Sequence, residues 1–125
     1  MIVDNKQQAF LVDEQLFHCG TSIGLRYLGG KWKSIILWYL RHGTLRFSEI
    51  KRLLPDMTDK MLSIQLANLE KDTLILRKQY GTKAPFKVEY SLTERGESLL
   101  PIIKMITDWG VKHAQNHGRL VELDH

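Results

Sequence analysis

The order of two patterns in residues 58–96 constrains this chain more than any other feature. Leu62, Leu66 and Leu69 recur at the spacing of one face of an α-helix. Residues 74–80 then follow as an extended segment, and apolar and polar side chains alternate at period two over residues 86–92. We therefore predict a helix over residues 58–72 that leads into an antiparallel hairpin.

The hairpin, which we call the wing (residues 74–92), is strongly basic. No acidic residue occurs between residues 73 and 87, although 26% of the whole chain is charged. The net charge of +4 belongs to the middle of the chain, because residues 31–112 hold 15 Lys or Arg against 9 Asp or Glu. With no acid in that stretch to neutralise the cations, a polyanion is the expected partner. The basic residues of the stretch are Arg77, Lys78, Lys83 and Lys87.

Three helices and a short strand are predicted ahead of this segment. Two helices, at residues 21–28 and 31–42, are separated by glycines, and the second is followed by a possible strand at residues 44–46. The third starts at Phe47 and ends at Pro55, because proline cannot continue it. Its predicted apolar face consists of Phe47, Ile50, Leu53 and Leu54.

This layout predicts an α+β, mostly α, fold of the winged helix-turn-helix type. Thr58 is a suitable N-cap for the second of two helices that a tight turn joins. In such a fold the second helix enters the major groove and the wing touches the adjacent backbone. We expect one domain over residues 1–125, with residues 31–93 as the DNA-binding core and a wing of two to three antiparallel strands whose basic part is residues 77–87.

A mixed polar and basic face lies opposite the leucine stripe when each residue turns the helix by about 100°. Its lysines can neutralise phosphates, Ser63 and Asn68 can hydrogen-bond to base edges, and Ile64 can meet a thymine methyl. Gln65 lies closer to the core edge. Alone, such a face is more often only solvated, but the basic wing favours DNA. The predicted DNA contacts are Arg46, Thr58, Lys60, Ser63, Ile64, Gln65, Asn68, Lys71, Arg77, Lys78 and Lys83.

The two ends of the chain are predicted to be helices that build a dimer. Residues 8–18 have an amphipathic helical pattern, and residues 94–117 form a long apolar-rich helix that Pro101 bends or restarts near Ser98. Residues 99–109 are apolar over too wide an arc for a helix that covers a small domain on one side. A twofold dimer would bury the excess, whereas the alternative is a helix buried centrally in a monomer.

Five short motifs occur in order along the chain: LGGKW (28–32), LRFSEI (45–50), KML (60–62), VEYSLT (88–93) and DWG (108–110). Together they resemble the motifs of the HxlR-type bacterial transcription regulators. The resemblance covers about residues 19–110 and implies a homodimeric winged-helix regulator related to the MarR type, with terminal helices at the dimer interface. Gly20, Ala67 and Thr73 depart from the family pattern, and the β-branched Thr73 is a costly residue for a left-handed helix cap. We therefore expect the helix to end without that motif.

Cys19 is the one cysteine, so no intrachain disulfide can form. It stands where some members of the resembled family carry a thiol that senses oxidants or electrophiles. The alternative is a small structural residue, since a lone cysteine is usually a buried hydrophobe. The effector, a small molecule or an oxidant, is not identified by the sequence, and neither are the operator, the target genes and the choice between activation and repression.

No catalytic set of residues emerges, so we do not expect an enzyme or a cofactor. His113 and His117 have the spacing of a shared metal site, but no acid completes it and we expect no metal. No apolar run reaches a membrane span and the N-terminus lacks a secretory pattern, so the expected location is the cytoplasm. The main alternative function is a winged-helix module that binds another protein and not DNA.

Overall fold

The structure is a computed structural model that describes residues 2–3 and 6–123. It confirms the mostly helical α+β class and divides into two units, one ending at Ile35 and one starting at Ile36. Within the first unit, β1 and β2 pair antiparallel, β3 and β4 form a second antiparallel pair, and α1 follows. The elements are β1 (Ile2–Val3), β2 (Lys6–Gln7), β3 (Phe10–Val12), β4 (Gln15–Phe17) and α1 (Gly20–Leu28).

The predicted helix over residues 8–18 is wrong, because β3 and β4 make a hairpin there. Asp13 and Glu14 form its turn, with φ angles of 48° and 63°. A hairpin turn with positive φ angles usually contains Asn or Gly, and neither residue is present here. The Tyr27 hydroxyl donates a hydrogen bond to the Asp13 carboxylate, and the Arg26 Nε donates to the Gln15 Oε1 at 3.0 Å. These contacts from α1 are invisible to a local helical pattern.

The second unit contains the predicted helix-turn-helix and wing. Strand β7 lies between β5 and β6 in a three-stranded antiparallel sheet. The elements from the boundary onward are α2 (Lys33–Tyr39), a 3₁₀ turn (Leu40–His42), β5 (Leu45–Arg46), α3 (Phe47–Leu53), α4 (Asp59–Lys71), β6 (Ile75–Tyr80), β7 (Lys87–Leu92), α5 (Glu94–Glu97) and α6 (Leu100–His117). The domain limits set from the sequence stay a prediction.

The core of the second unit is built on the predicted leucine stripe of α4. Leu62, Leu66 and Leu69 are buried, which confirms the helical periodicity. One core prediction is wrong: Leu53 is 46% exposed, because Leu54 just beyond α3 is the residue that turns inward. The other buried apolar residues of this unit are Ile36, Leu37, Leu40, Ile50, Met57, Leu74, Ile75, Tyr90 and Ile103.

Helix α5 approaches the start of the wing very closely. Thr93 caps α5 by accepting a hydrogen bond from the Gly96 N–H at 3.0 Å, and its own N–H donates to the Leu74 carbonyl at 3.1 Å. A Cβ on Gly96 would lie 2.1 Å from that carbonyl oxygen, so only glycine fits. The chain then restarts as α6 with Pro101 in its first turn, as predicted. No helix in the described part of the chain is long and apolar enough to cross a membrane.

Candidate nucleic-acid interface

Helices α3 and α4 are joined by a tight turn that the core holds in place. Leu54 and Met57 in this turn are buried, and the Met57 N–H donates to the Leu54 carbonyl at 3.1 Å. Thr58 then starts α4, because its hydroxyl accepts a hydrogen bond from the Met61 N–H at 3.0 Å. The structure therefore gives Thr58 a capping role, alongside the DNA contact that the sequence predicts for it.

Five of the six DNA contacts predicted on α4 are exposed on its outward face. Gln65 is half-buried, in keeping with its expected place near the core edge. Met61, which the sequence analysis did not select, is 38% exposed on the same helix. The exposure of Met61 could have been predicted from the sequence, because Met61 lies about 100° from the buried Leu62 on a helical wheel. The exposed predicted residues of α4 are Lys60, Ser63, Ile64, Asn68 and Lys71.

The C-terminal end of α4 adopts the left-handed cap that the sequence analysis did not expect. Thr73 has a φ of 59°, its N–H donates to the Glu70 carbonyl, and the Leu74 N–H donates to the Leu69 carbonyl. These two bonds define a Schellman motif. The Thr73 hydroxyl donates to the Asp72 carbonyl at 2.6 Å and accepts from the Arg95 guanidinium at 3.0 Å. Hydrogen bonds specific to threonine therefore offset the strain of a β-branched residue.

The wing does not bring its basic residues to one surface. Arg77 pairs with Tyr90 and Lys78 pairs with Glu89 across the strands, so these two consecutive cations point to opposite faces of the sheet. Both are exposed. The Lys78 ammonium lies 5.1 Å from the centre of the Tyr80 ring. A DNA backbone that contacts one face of the wing can therefore be bound by Arg77 or by Lys78, but not by both from that face.

Glu89 corrects the view that the cations of the wing have no local counter-charge. The carboxylate of Glu89 lies 3.1 Å from the Lys87 ammonium. Its neighbours across the two adjoining strands are Lys78 and Arg46. The pKa of Glu89 lies below its ordinary value, mainly because Lys87 donates a hydrogen bond to it. The sequence placed Glu89 outside the basic stretch, and only the strand register brings it among these cations.

Arg46 and Lys83 are the predicted phosphate contacts at the two ends of the sheet. Arg46 closes β5 and precedes α3, where its backbone N–H donates to the Glu49 carboxylate at 2.9 Å. Its exposed side chain lies on the sheet face that carries Lys78 and Glu89. Lys83 is exposed in the loop between β6 and β7. The predicted phosphate contacts are thus accessible but spread over the edge, the face and the tip of the sheet.

Helix α6 has a broad exposed apolar face. Only Ile103 among the apolar residues of α6 is buried, at 3% exposure. An exposed apolar strip runs along one side of the helix. The ring of His113 continues this strip by stacking on Trp109, with ring centres 4.7 Å apart. The described residues contain no group of three or more metal-ligating side chains. The exposed apolar residues of the strip are Ile102, Met105, Ile106 and Trp109.

Cys19, in the first unit, is exposed and immediately precedes α1. Its sulfur lies 3.3 Å from the Ser22 hydroxyl. The pKa of the thiol lies below its ordinary value, mainly because of this hydrogen bond and with help from the Ser22 backbone N–H. Because the thiolate is the reactive form, the site favours chemistry at sulfur. The alternative of a buried hydrophobic cysteine does not fit this exposure.

A capped second helix with a polar outward face, a tight turn before it and a three-stranded sheet after it define a winged helix-turn-helix protein of the DNA-binding class. The chain belongs to the HxlR-like helix-turn-helix family, which it matches over residues 27–118. It is a DNA-binding transcriptional regulator and not an enzyme. The alternative of a protein-binding module without DNA has no support from its relatives.

Similar proteins agree with this assignment in sequence and in structure. The chain is 46% identical over 99 residues to the uncharacterised HTH-type transcriptional regulator YkvN of Bacillus subtilis, covering 79% of this chain and 83% of YkvN. The redox regulator HypR in its reduced form is 40% identical, with a TM-score of 0.72 over 76% of this chain and 93% of HypR. The reduced transcriptional regulator YodB of B. subtilis is 30% identical, with a TM-score of 0.64 over 75% of this chain and 92% of YodB.

Proposed function

We propose that the chain regulates transcription as a homodimer that places α4 of each subunit in the major groove of an operator. The observation that carries this proposal is the outward face of α4, which is exposed opposite a fully buried leucine stripe and has Lys60 and Lys71 at its two ends. Asn68 faces bases, Ser63 lies at the edge of this contact on the flank of Asp59 and Glu70, and the lysines neutralise phosphates. A regulator works where the DNA is, so the proposed location is the cytoplasm.

The sheet supplies affinity that does not depend on base sequence. Arg46, Lys78 and Lys83 hold phosphates along one side of the wing, and Arg77 holds one from the other side. Glu89 sets the limit of this surface, because it holds Lys87 in an ion pair. The wing therefore anchors the protein, while α4 sets the register on the operator.

Dimer formation rests on α6. Ile102, Met105, Ile106 and Trp109 make one continuous strip in which each side chain is at least 46% exposed. An apolar strip of this kind is costly in water and is satisfied by a second copy of the same helix. The observed hairpin at residues 10–17, which replaces the expected N-terminal helix, carries Leu11 and Leu16 at 69% and 71% exposure as further apolar area.

Salt titration of DNA binding tests the anchoring role of the wing. The logarithm of the affinity should fall with the logarithm of the salt concentration, with a slope of about 0.9 for each phosphate neutralised. Lys83→Ala should weaken binding to all duplexes alike and reduce that slope by about 1. Lys112→Ala, an exposed lysine of α6, serves as the matched control and should leave the slope unchanged. A slope that Lys83→Ala does not alter would remove Lys83 from the interface.

Cys19 is the second part of the proposal, as a sensor of oxidants or electrophiles. Its exposure and the lowered pKa of its thiol both favour reaction at sulfur. HypR, to which the chain is similar, has been solved in reduced and oxidised forms. Since the chain has one cysteine, a two-electron oxidant such as diamide either joins the Cys19 sulfurs of two subunits or, where a small thiol such as glutathione is present, couples that thiol to Cys19 as a mixed disulfide.

Oxidant titration of operator binding tests this sensor. Treatment with diamide should change the affinity of the wild-type protein and leave Cys19→Ser unaffected, with dithiothreitol restoring the wild-type value. Non-reducing electrophoresis distinguishes an inter-subunit disulfide from a small-thiol cap. Equal responses of the wild type and Cys19→Ser would assign the effect to another group, and no response in either would remove the sensor.

A further inference from the structure

The centre of the outward face of α4 is apolar, although its ends are basic. Met61 and Ile64 are 38% and 48% exposed, and Ala67 is exposed one turn further on. Lys60 and Lys71 lie at the two ends of this patch. Neither Met61 nor Ile64 belongs to the buried leucine stripe, so part of each side chain is open to a partner surface.

The charges on α4 decide which flank of the helix meets DNA. With about 100° per residue and Leu62 at zero, Asp59 and Glu70 fall together on one flank at about 60–80°. These acids repel phosphates. Met61 and Asn68 fall on the other flank at about −100 to −120°, where no acidic residue of α4 lies. The approach that keeps the acids away from the backbone therefore turns Met61, Ile64 and Asn68 toward the bases.

The chemistry of these three side chains matches A·T pairs. In the major groove thymine shows a C5 methyl group, which apolar side chains contact, and adenine shows the N6 and N7 pair that Asn binds with two hydrogen bonds. The commonest specific contact to guanine uses arginine or lysine. Residues 58–72 contain no arginine, and the exposed lysines of this helix, Lys60 and Lys71, lie at the two ends of the apolar patch and not at its centre. A polar or arginine-bearing surface would be expected at the centre of this helix if it read G·C pairs.

From these observations we infer that α4 reads a run of A·T pairs, with Met61 and Ile64 in contact with thymine methyl groups and Asn68 on an adjacent adenine. The inference rests on the proposed placement of α4 in the major groove. It adds the class of base sequence and makes Met61 a specificity residue that the sequence analysis did not select.

Replacing thymidine by deoxyuridine tests the inference, because this change removes the methyl group and leaves base pairing intact. The probe is a duplex that the full-length protein selects from random DNA. Each uridine at a contacted position should raise the Kd about fourfold, which corresponds to about 0.8 kcal/mol for one buried CH₂ group. Ile64→Ala should weaken binding to the thymidine duplex and show no further loss on the duplex that lacks the methyl it touches. Met61→Ala should behave in the same way at its own position.

The control is Lys83→Ala, which should weaken binding to the thymidine and uridine duplexes by the same factor. Equal Kd values of the wild type on both duplexes, with binding still salt-dependent, would overturn the inference and leave the proposed function standing. Selected sites rich in G·C under α4 would overturn it as well. Failure to bind any duplex in a salt-dependent way would instead reject the proposed placement of α4 itself.

Discussion

Helices α4 and α6 both bury one side and expose apolar residues on another, yet their surroundings differ. On α4 the exposed Met61 and Ile64 are bracketed by Lys60 and Lys71. On α6 the exposed strip from Ile102 to Trp109 has no charged residue within it, and the ion pair of Lys104 with Asp108 lies on another side of the helix, at 2.6 Å. The exposed apolar patch of α4 therefore lies between cations, as a surface that meets DNA would, whereas the uncharged strip of α6 suits an apolar partner.

The two helices also differ in how their ends are held. Helix α4 has a side-chain cap at Thr58 and a left-handed cap at Thr73 that Arg95 reaches. Helix α6 ends at Gly118 with a backbone hydrogen bond to the Ala114 carbonyl, and its last residues are exposed. A helix that reads bases needs a fixed position. A helix that pairs with a second copy gains order from that partner.

The largest effect is expected from a charge placed in the α6 strip. If the protein is the proposed homodimer, Ile106→Asp should give a monomer at micromolar concentration, because a buried carboxylate without a partner opposes association. Operator affinity should then fall by about 10²–10⁴, since the second half-site no longer binds as part of the same particle. Light scattering measures the mass, and a fluorescence anisotropy titration measures the affinity.

Val111→Asp is the matched control for this substitution. Val111 is 54% exposed, close to the 57% of Ile106, but it lies about 140° away around the helix. It should leave both the mass and the operator affinity unchanged. If both variants lower the mass equally, the interface surrounds α6 and is not confined to the strip. A dimer that survives Ile106→Asp would show that the apolar strip of α6 has a different partner.

Helix α4 could be predicted from the sequence because its determinants are local. Leu62, Leu66 and Leu69 are spaced along one face, and Thr58 and Pro55 mark where the turn ends and begins. The exposed face opposite the leucines follows from the same periodicity. Strand β7 also follows from its alternation, and β6 from the extended segment that precedes the loop between them. None of these features needs a contact with a distant residue.

Three features could not be predicted because distant residues fix them. The turn at Asp13 and Glu14 lacks a glycine and is held by a bond to Tyr27. The left-handed Thr73 contradicts its own propensity and is supported by Arg95, 22 residues away. Glu89 joins the basic wing only through the strand register. In each case the local sequence favours the more common alternative: a helix at residues 8–18, a helix end without a left-handed residue, and a wing without an acidic neighbour.

A smaller effect is expected where α4 ends, and it would sharpen the contrast in how the two helices are held. Thr73→Gly removes the strain of a left-handed β-branched residue, which costs about 1–2 kcal/mol. It also removes two hydroxyl hydrogen bonds worth about 0.5–1.5 kcal/mol each and adds flexibility to the unfolded chain. With mid-range values for these terms, the free energy of unfolding should fall by about 1 kcal/mol, measured by urea denaturation.

Thr73→Val separates these two contributions, because valine keeps the branched shape and loses the hydroxyl. It should cost about 1–3 kcal/mol, more than Thr73→Gly, since the strain stays and both hydrogen bonds to the hydroxyl disappear. The expected order of stability is therefore threonine, glycine, valine. If glycine proved clearly more stable than threonine, strain would outweigh the bonds to Asp72 and Arg95. The end of α4 would then be held by its backbone alone, as α6 is at Gly118, and the contrast between the two helices would rest on charge.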